Sequence, residues 1–169
     1  MTKAEHFHAI GVSYKTAAID LRGQFSLNDA QLHSLFLEAK TLGLRDLLII
    51  NTCNRTELFS WTAHATTLVD LLCRHSKGTR HSFDEIGYAF SDADGFHHLF
   101  RVGTGLESQI LGDFEIIGQI KQSFYRSKKM QLAHGPLERL TNAVIQASKR
   151  IKTETKISSG ATSVAFASV

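Results

Sequence analysis

A thiol, a guanidinium and a carboxylate stand at alternate positions in Thr52-Cys53-Asn54-Arg55-Thr56-Glu57, directly after the polar residue Asn51 that closes the apolar run Leu47-Leu48-Ile49-Ile50. Cysteine attacks as its thiolate, and its reference pKa of about 8.5 falls when a cation or a helix N-terminus lies near. Arg55, two residues on, can supply such a charge, and its planar donor fork suits a carboxylate. The chemistry these residue types allow is nucleophilic capture of an activated acyl group. The plainer reading is a small side chain packed at a strand end. Cys73, in the leucine-rich stretch Leu71-Leu72-Cys73, takes that plainer reading. The two cysteines form no close CxxC pair and neither has a histidine at zinc-finger spacing, so no metal site is expected.

A second group of polar residues lies in HHLFRVGTGLESQILGDFEIIGQIKQSF, residues 97 to 124. His97 and His98 fall on a short amphipathic segment that stops in Gly103-Thr104-Gly105, and Gly112 precedes Asp113 and a new helical pattern. Glycine breaks of this kind let backbone approach a ligand or another segment closely. Asp113 and Glu115 at a helix start have a sufficient structural reason in the positive end of the helix dipole. Gly103-Thr104-Gly105 follows a helix rather than a strand and lacks the full dinucleotide spacing, so this chain has no cofactor-binding motif of its own.

The elements that must position these groups follow from periodicity. With 169 residues and 43% hydrophobic side chains, the chain is long enough to bury a core without staples. Its net charge of +3 permits a polyanionic partner without demanding one. Two cysteines, no charged leader and no long apolar run lead us to expect a soluble cytoplasmic protein with no membrane partner and no structural disulfide. Residues 6–14 read as a strand, 15–25 as a loop and 26–43 as a helix capped by Ser26 or Asn28. Leu47–Asn51 and Thr56–Trp61 read as a hairpin with Cys53 in its turn. A helix through Leu68, Leu71 and Leu72 and a fourth strand over Phe83–Phe90 complete the order strand, helix, strand, strand, helix, strand. That order predicts an α+β fold, a ferredoxin-like βαββαβ antiparallel sheet with helices on one face. Three helical patterns then make a helical C-terminal part, with Pro136 in the first turn of the last. The expected division is 1–90 for the ferredoxin-like part, 91–155 for the helical part, and 156–169 as the start of a connection to a further domain.

Taken in order and spacing, GVSYKTAAIDLR, NTCNRTE, the 97–124 stretch and the closing GATSVAFASV resemble the N-terminal catalytic domain of glutamyl-tRNA reductase over nearly the whole chain. The resemblance implies that Cys53 attacks the ester of glutamyl-tRNA to form a thioester, which NADPH reduces to glutamate-1-semialdehyde, the first step toward 5-aminolevulinate and tetrapyrroles. It implies that His98 assists the cysteine and that Arg55 holds the glutamyl moiety. Thr52 and Asn54 line the same loop, and Ser108, Asp113, Phe114, Glu115 and Gln119 match substrate-contacting positions. Glu57 is expected to orient Arg55 or the loop. Where the family carries Glu-Pro-Gln, this chain has Asp113-Phe114-Glu115, which adds a carboxylate.

The resemblance further implies that NADPH is bound by a domain absent from this chain. The chain alone is then at most an esterase, a monomer where the full-length protein is a homodimer, with the downstream semialdehyde aminomutase as a further partner. The basic clusters Arg126-Ser127-Lys128-Lys129 and Lys149-Arg150-Ile151-Lys152 are candidate contacts to tRNA phosphates. Two rival readings remain. One is a non-catalytic RNA-binding module that stacks bases on a ferredoxin-like sheet. The other is a thiol redox sensor, which needs a resolving cysteine near Cys53.

Overall fold

A computed structural model of the chain describes residues 3–155. Its elements run β1 (His6–Ser13), α1 (Ile19–Gly23), α2 (Asp29–Thr41), β2 (Leu47–Asn51), β3 (Arg55–Thr62), α3 (Ala65–His75), α4 (Arg80–Ile86), β4 (Tyr88–Ser91), α5 (Ala93–Gly103), α6 (Glu115–Lys129) and α7 (Gly135–Glu154). The four strands form one antiparallel sheet in the order β2-β3-β1-β4, the arrangement of the expected α+β fold.

Side-chain alternation divides the core in two. Ile10, Val12, Ile49 and Leu58 point to one face and meet Leu35 and Phe36 of α2, Leu68 and Leu71 of α3, and Phe83 of α4. Phe7, Ala9, Leu48, Ile50 and Phe59 point to the other, where Leu99 of α5, Ile116 and Ile120 of α6, and Leu137 and Val144 of α7 cover them. The helical second half is thus the lid on the sheet's other face. Local chemistry sets the start of α2: Asn28 accepts from the Gln31 amide, and the Gln31 side chain returns to the Asn28 N–H.

Two expectations need correction. The stretch read as a strand over 83–90 is a helix for its first part and a strand only from Tyr88. Thr79 and Ser82 form a capping box that opens α4, and Phe83 drops into the core against Phe25 at a ring separation of 6.0 Å. The stretch read as loop over 15–25 contains the single-turn helix α1, which buries none of its residues and so left no periodic apolar signal. The connection assigned to 156–169 lies outside the described residues.

Candidate active site

The corner between β2 and β3 is built by Thr52. Its hydroxyl accepts from the N–H groups of Asn54 and Arg55 at 3.2 and 3.3 Å, and its own N–H donates to the Arg55 carbonyl at 2.8 Å. Neighbouring segments take two further carbonyls: Tyr14 N–H donates to that of Asn54, and Arg22 Nε donates to that of Cys53 at 3.2 Å. With its carbonyl thus held, Cys53 is left exposed at the corner. Asn51, one residue before the corner, donates to and accepts from the backbone of Leu27, which anchors the start of α2 beside the thiol.

Cys53 borders three concavities. One, of about 260 Å3, is lined by Thr52, Asn54, Arg55, Ser108, Asp113, Glu115 and Gln119, together with Gln109 and Ile116. A larger groove of about 530 Å3 runs from Thr52 and Cys53 between the start of α2 and one stripe of α6. A small cleft of about 180 Å3 lies on the α1 side, against Ile19 and Arg22. Among the residues expected at the site, the first cavity gathers all but His98, Phe114 and Glu57.

Those three sit elsewhere for different reasons. Phe114 precedes α6 and lies under Lys152, whose Nζ is 5.8 Å from the ring centroid. Glu57 is fully buried behind Arg55, and His98, mostly buried on α5, places Nε2 2.5 Å from Glu57 Oε1 rather than on the thiol's cavities. His97 is exposed. Arg55 is itself only 4% exposed; Nη1 lies 3.4 Å from Glu57 Oε1 and Nη2 donates to the Glu107 carbonyl at 2.5 Å. A guanidinium has five N–H groups, so these contacts fix its plane while it still borders the cavity.

The Tyr88 hydroxyl also donates to Glu57 Oε1. Sheet register explains how a residue two strands away reaches it. Ile50, Glu57, Gly11 and Tyr88 stand in one row across β2, β3, β1 and β4. Gly11 has no side chain, and a Cβ built there would come within 2.7 Å of Glu57 Cγ. The missing side chain is the space that Glu57 and Tyr88 share.

Burial alone would push the Glu57 carboxyl upward, but the hydrogen bond from His98, the Arg55 charge and the Tyr88 hydroxyl together hold it below the ordinary carboxylate value. Glu57 is therefore an acceptor only, and its three neighbours all donate to it. Its Oε2 is buried without a partner among the described residues. Burial first, and then the Glu57 charge, raise Tyr88 far above the ordinary phenol range, so it stays a donor.

The loop between α5 and α6 carries a second ion cluster. Burial would raise the Glu107 carboxyl, but Lys15 at 2.6 Å and Arg101 at 2.8 Å lower it. The loop closes on Gly105, whose carbonyl accepts from Ser108 and Gly112 and whose φ of +81° a side chain would strain. Ser108 and the Glu107 carbonyl are thereby held against Arg55.

Residues 10–155 match the family described as "Glutamyl-tRNAGlu reductase, N-terminal domain". The chain belongs to this glutamyl-tRNA reductase family. It is 52% identical over 169 residues to the glutamyl-tRNA reductase of Christiangramia forsetii, covering all of this chain and 40% of that protein. It is 53% identical over 167 residues to that of Flavobacterium psychrophilum, covering 99% and 40%. The solved structure of "Glutamyl-tRNA Reductase from Methanopyrus kandleri" superposes with a TM-score of 0.78 at 25% identity, over 93% of this chain and 37% of that one. The chain thus spans about 40% of the length of the curated glutamyl-tRNA reductases it matches.

Sequence reasoning did not pick out Arg22, Tyr88, Glu107 or Gln109. Glu107 and Gln109 flank Ser108 in the family-like stretch, so position alone pointed to them. Tyr88 becomes meaningful only through its register with Gly11, which no local pattern encodes. Among the described residues no three His, Cys, Asp or Glu side chains are grouped to hold a metal ion, and no helix is long and apolar enough to cross a membrane.

Proposed function

We propose that this chain carries the thiol step of glutamyl-tRNA reduction. The observation that supports it best is the exposed sulfur of Cys53 at the rim of a cavity with Arg55 in one wall and Asp113 and Glu115 in another. A glutamyl ester brings a side-chain carboxylate and an α-ammonium, and this cavity offers a complement to each. The carboxylate that this chain adds at Glu115 finds a use there, facing the ammonium. Cys53 Sγ attacks the ester carbonyl carbon; the C–S bond forms, the C–O bond to the terminal ribose breaks, and that oxygen leaves with the electron pair and takes up a proton. A glutamyl thioester remains, a better hydride acceptor than the oxygen ester it replaces.

His98 acts in this reading as a positioning residue: it holds Glu57, which holds Arg55. Reduction of the thioester to glutamate-1-semialdehyde, toward tetrapyrroles, requires hydride from NADPH in this family. Among the described residues no strand, glycine-rich turn and helix follow one another in the way that seats a dinucleotide pyrophosphate. We infer that NADPH is held outside residues 3–155, which carry the acyl transfer alone.

The rival readings meet specific obstacles. Helices cover the aromatic strand positions Phe7 and Phe59, and the fully exposed positions of the edge strand β4 are Ala89 and Ser91, which offer no ring on which bases could stack. Cys73 packs against the α2–α3 core, and burial raises its thiol, which disfavours a resolving role for Cys53.

The test is to mix the chain with glutamyl-tRNA and weigh it intact. One glutamyl adduct, lost on hydroxylamine treatment and absent from Cys53→Ser, is expected, with the affinity of that variant for tRNA nearly unchanged. An adduct that survives Cys53→Ser, or none on the wild type, rejects the reading.

A further inference from the structure

Resting on the acyl-transfer reading, we propose that the 530 Å3 groove beside Cys53 is a leaving-group subsite, which seats the terminal nucleoside of the RNA with its 5′ phosphate on Arg126. The groove and the 260 Å3 cavity share Thr52, Cys53 and Gln119 and no other lining residue, so the thiol stands on the divide between them. Nucleophilic attack on an ester needs space on both sides of the reacting carbonyl. The acyl part occupies one, and the departing alcohol needs another; the third cleft at the thiol, of about 180 Å3 on the α1 side, is too small for a nucleoside.

Sizes and linings assign the two. The smaller cavity carries the charges that suit an amino acid, whereas the larger is of the size that holds a nucleoside-sized ligand. Its floor is apolar, with Leu27, Leu32 and Ile49 nearly buried, which suits the face of a base. Its α6 wall is polar: Gln119, Gln122, Ser123 and Arg126 recur at helical spacing along one stripe. Seven residues separate Gln119, at the thiol, from Arg126, which places the cation roughly 10 Å along the helix from the reacting centre.

The partner that Arg126 now has is a weak one. Asp29 lies 3.3 Å away and is 94% exposed, a pair that water screens and a phosphate can replace. Lys128 and Lys129 follow on the same helix end and extend the positive field toward the next phosphates. Asp29 is the one carboxylate among the groove's lining residues, and it stands at the Arg126 end rather than at the thiol.

Two substitutions test the assignment. Ser123→Trp fills the groove from α6, and Arg126→Glu reverses the charge at its far end without touching the core. Single-turnover acylation of Cys53 is measured with glutamyl-tRNA and with the S-benzyl thioester of glutamate, which reaches the thiol without a nucleoside. Losing one charge-assisted contact predicts about tenfold slower acylation from glutamyl-tRNA in Arg126→Glu, and blocking the groove predicts a loss at least as large in Ser123→Trp, with the small thioester reacting at its wild-type rate in both. The trinucleotide CCA should in addition slow alkylation of wild-type Cys53 by iodoacetamide, and should not do so in Ser123→Trp.

Equal slowing on both substrates, or unchanged rates with glutamyl-tRNA, overturns the subsite while leaving the thiol reading intact. A wild-type chain acylated by neither substrate overturns both. Arg126→Glu, at an exposed position, keeps the comparison available should Ser123→Trp fail to fold.

Discussion

The sheet presents two covered faces that differ in what they can bury. Toward α2 and α3 it packs Ile10, Val12 and Leu58 against Leu35, Phe36 and Leu71, an apolar cluster without a charged member. Toward α5, α6 and α7 it packs Phe7, Ala9 and Phe59 in the same manner, but at the turn end the row continues as Arg55 and Glu57, with Tyr88 and His98 closing over them. Charge survives inside the second face because the carboxylate gathers three donors and because Gly11 leaves room for them. An ion pair buried in this way is weak evidence for net stability. What it does supply is a guanidinium held at a fixed angle beside an exposed thiol. One face stabilises the fold, and the other spends part of that stability on a prepared site.

The largest test of this contrast is Glu57→Leu. It strands the buried Arg55 and is expected to cost about 3–5 kcal/mol, read from the urea midpoint, with capture of glutamate lost as well. The same variant sharpens the pH profile. Because the folded-state pKa of Glu57 is depressed, its stabilising contribution is full above the ordinary carboxylate range and is lost as pH falls through the lower folded value. In that window the unfolded chain takes up the proton first, so wild-type stability falls with acid and the variant should lack this part of the slope. A Glu57→Leu protein as stable as the wild type would erase the distinction between the faces.

Leu35→Ala, on the apolar face, should cost about 3 kcal/mol, within the range for a fully buried leucine. Acylation per folded molecule should stay at the wild-type level; a matching loss of acylation would show that the two faces are not separable. The smallest effect is expected from Thr79→Ala, which removes the cap of α4 and should cost about 1 kcal/mol with no change in chemistry.

Much of this arrangement was legible in local sequence. The apolar run ending at Asn51, the alternation from Thr56 and the intervening Cys-Asn pair announce the hairpin and put Cys53 at its tip. The strand order follows from the succession of elements. The start of β4 was not legible, because Phe83 and Phe90 sit at spacings that a strand and a helix-then-strand both satisfy, and the Thr79–Ser82 cap decides between them. Nor was the route from His98 to the site. Its position in a family-like stretch implied that it assists the cysteine; the side chain meets Glu57, and that encounter depends on how α5 crosses the sheet. The row of Ile50, Glu57, Gly11 and Tyr88 has the same origin: register is a property of paired strands and appears in none of them singly.

Position 88 opens β4, which has four residues, pairs among the described residues only with β1 and keeps alternate side chains exposed. Short edge strands of this kind open more readily than the centre of a sheet. When this one frays, Glu57 loses its phenolic donor and the guanidinium loses part of its brace, while the hairpin tip that bears the sulfur stays paired. On the proposed acyl transfer, affinity for the incoming amino acid is expected to inherit the breathing of a border the amino acid never touches, and thiol reactivity is not.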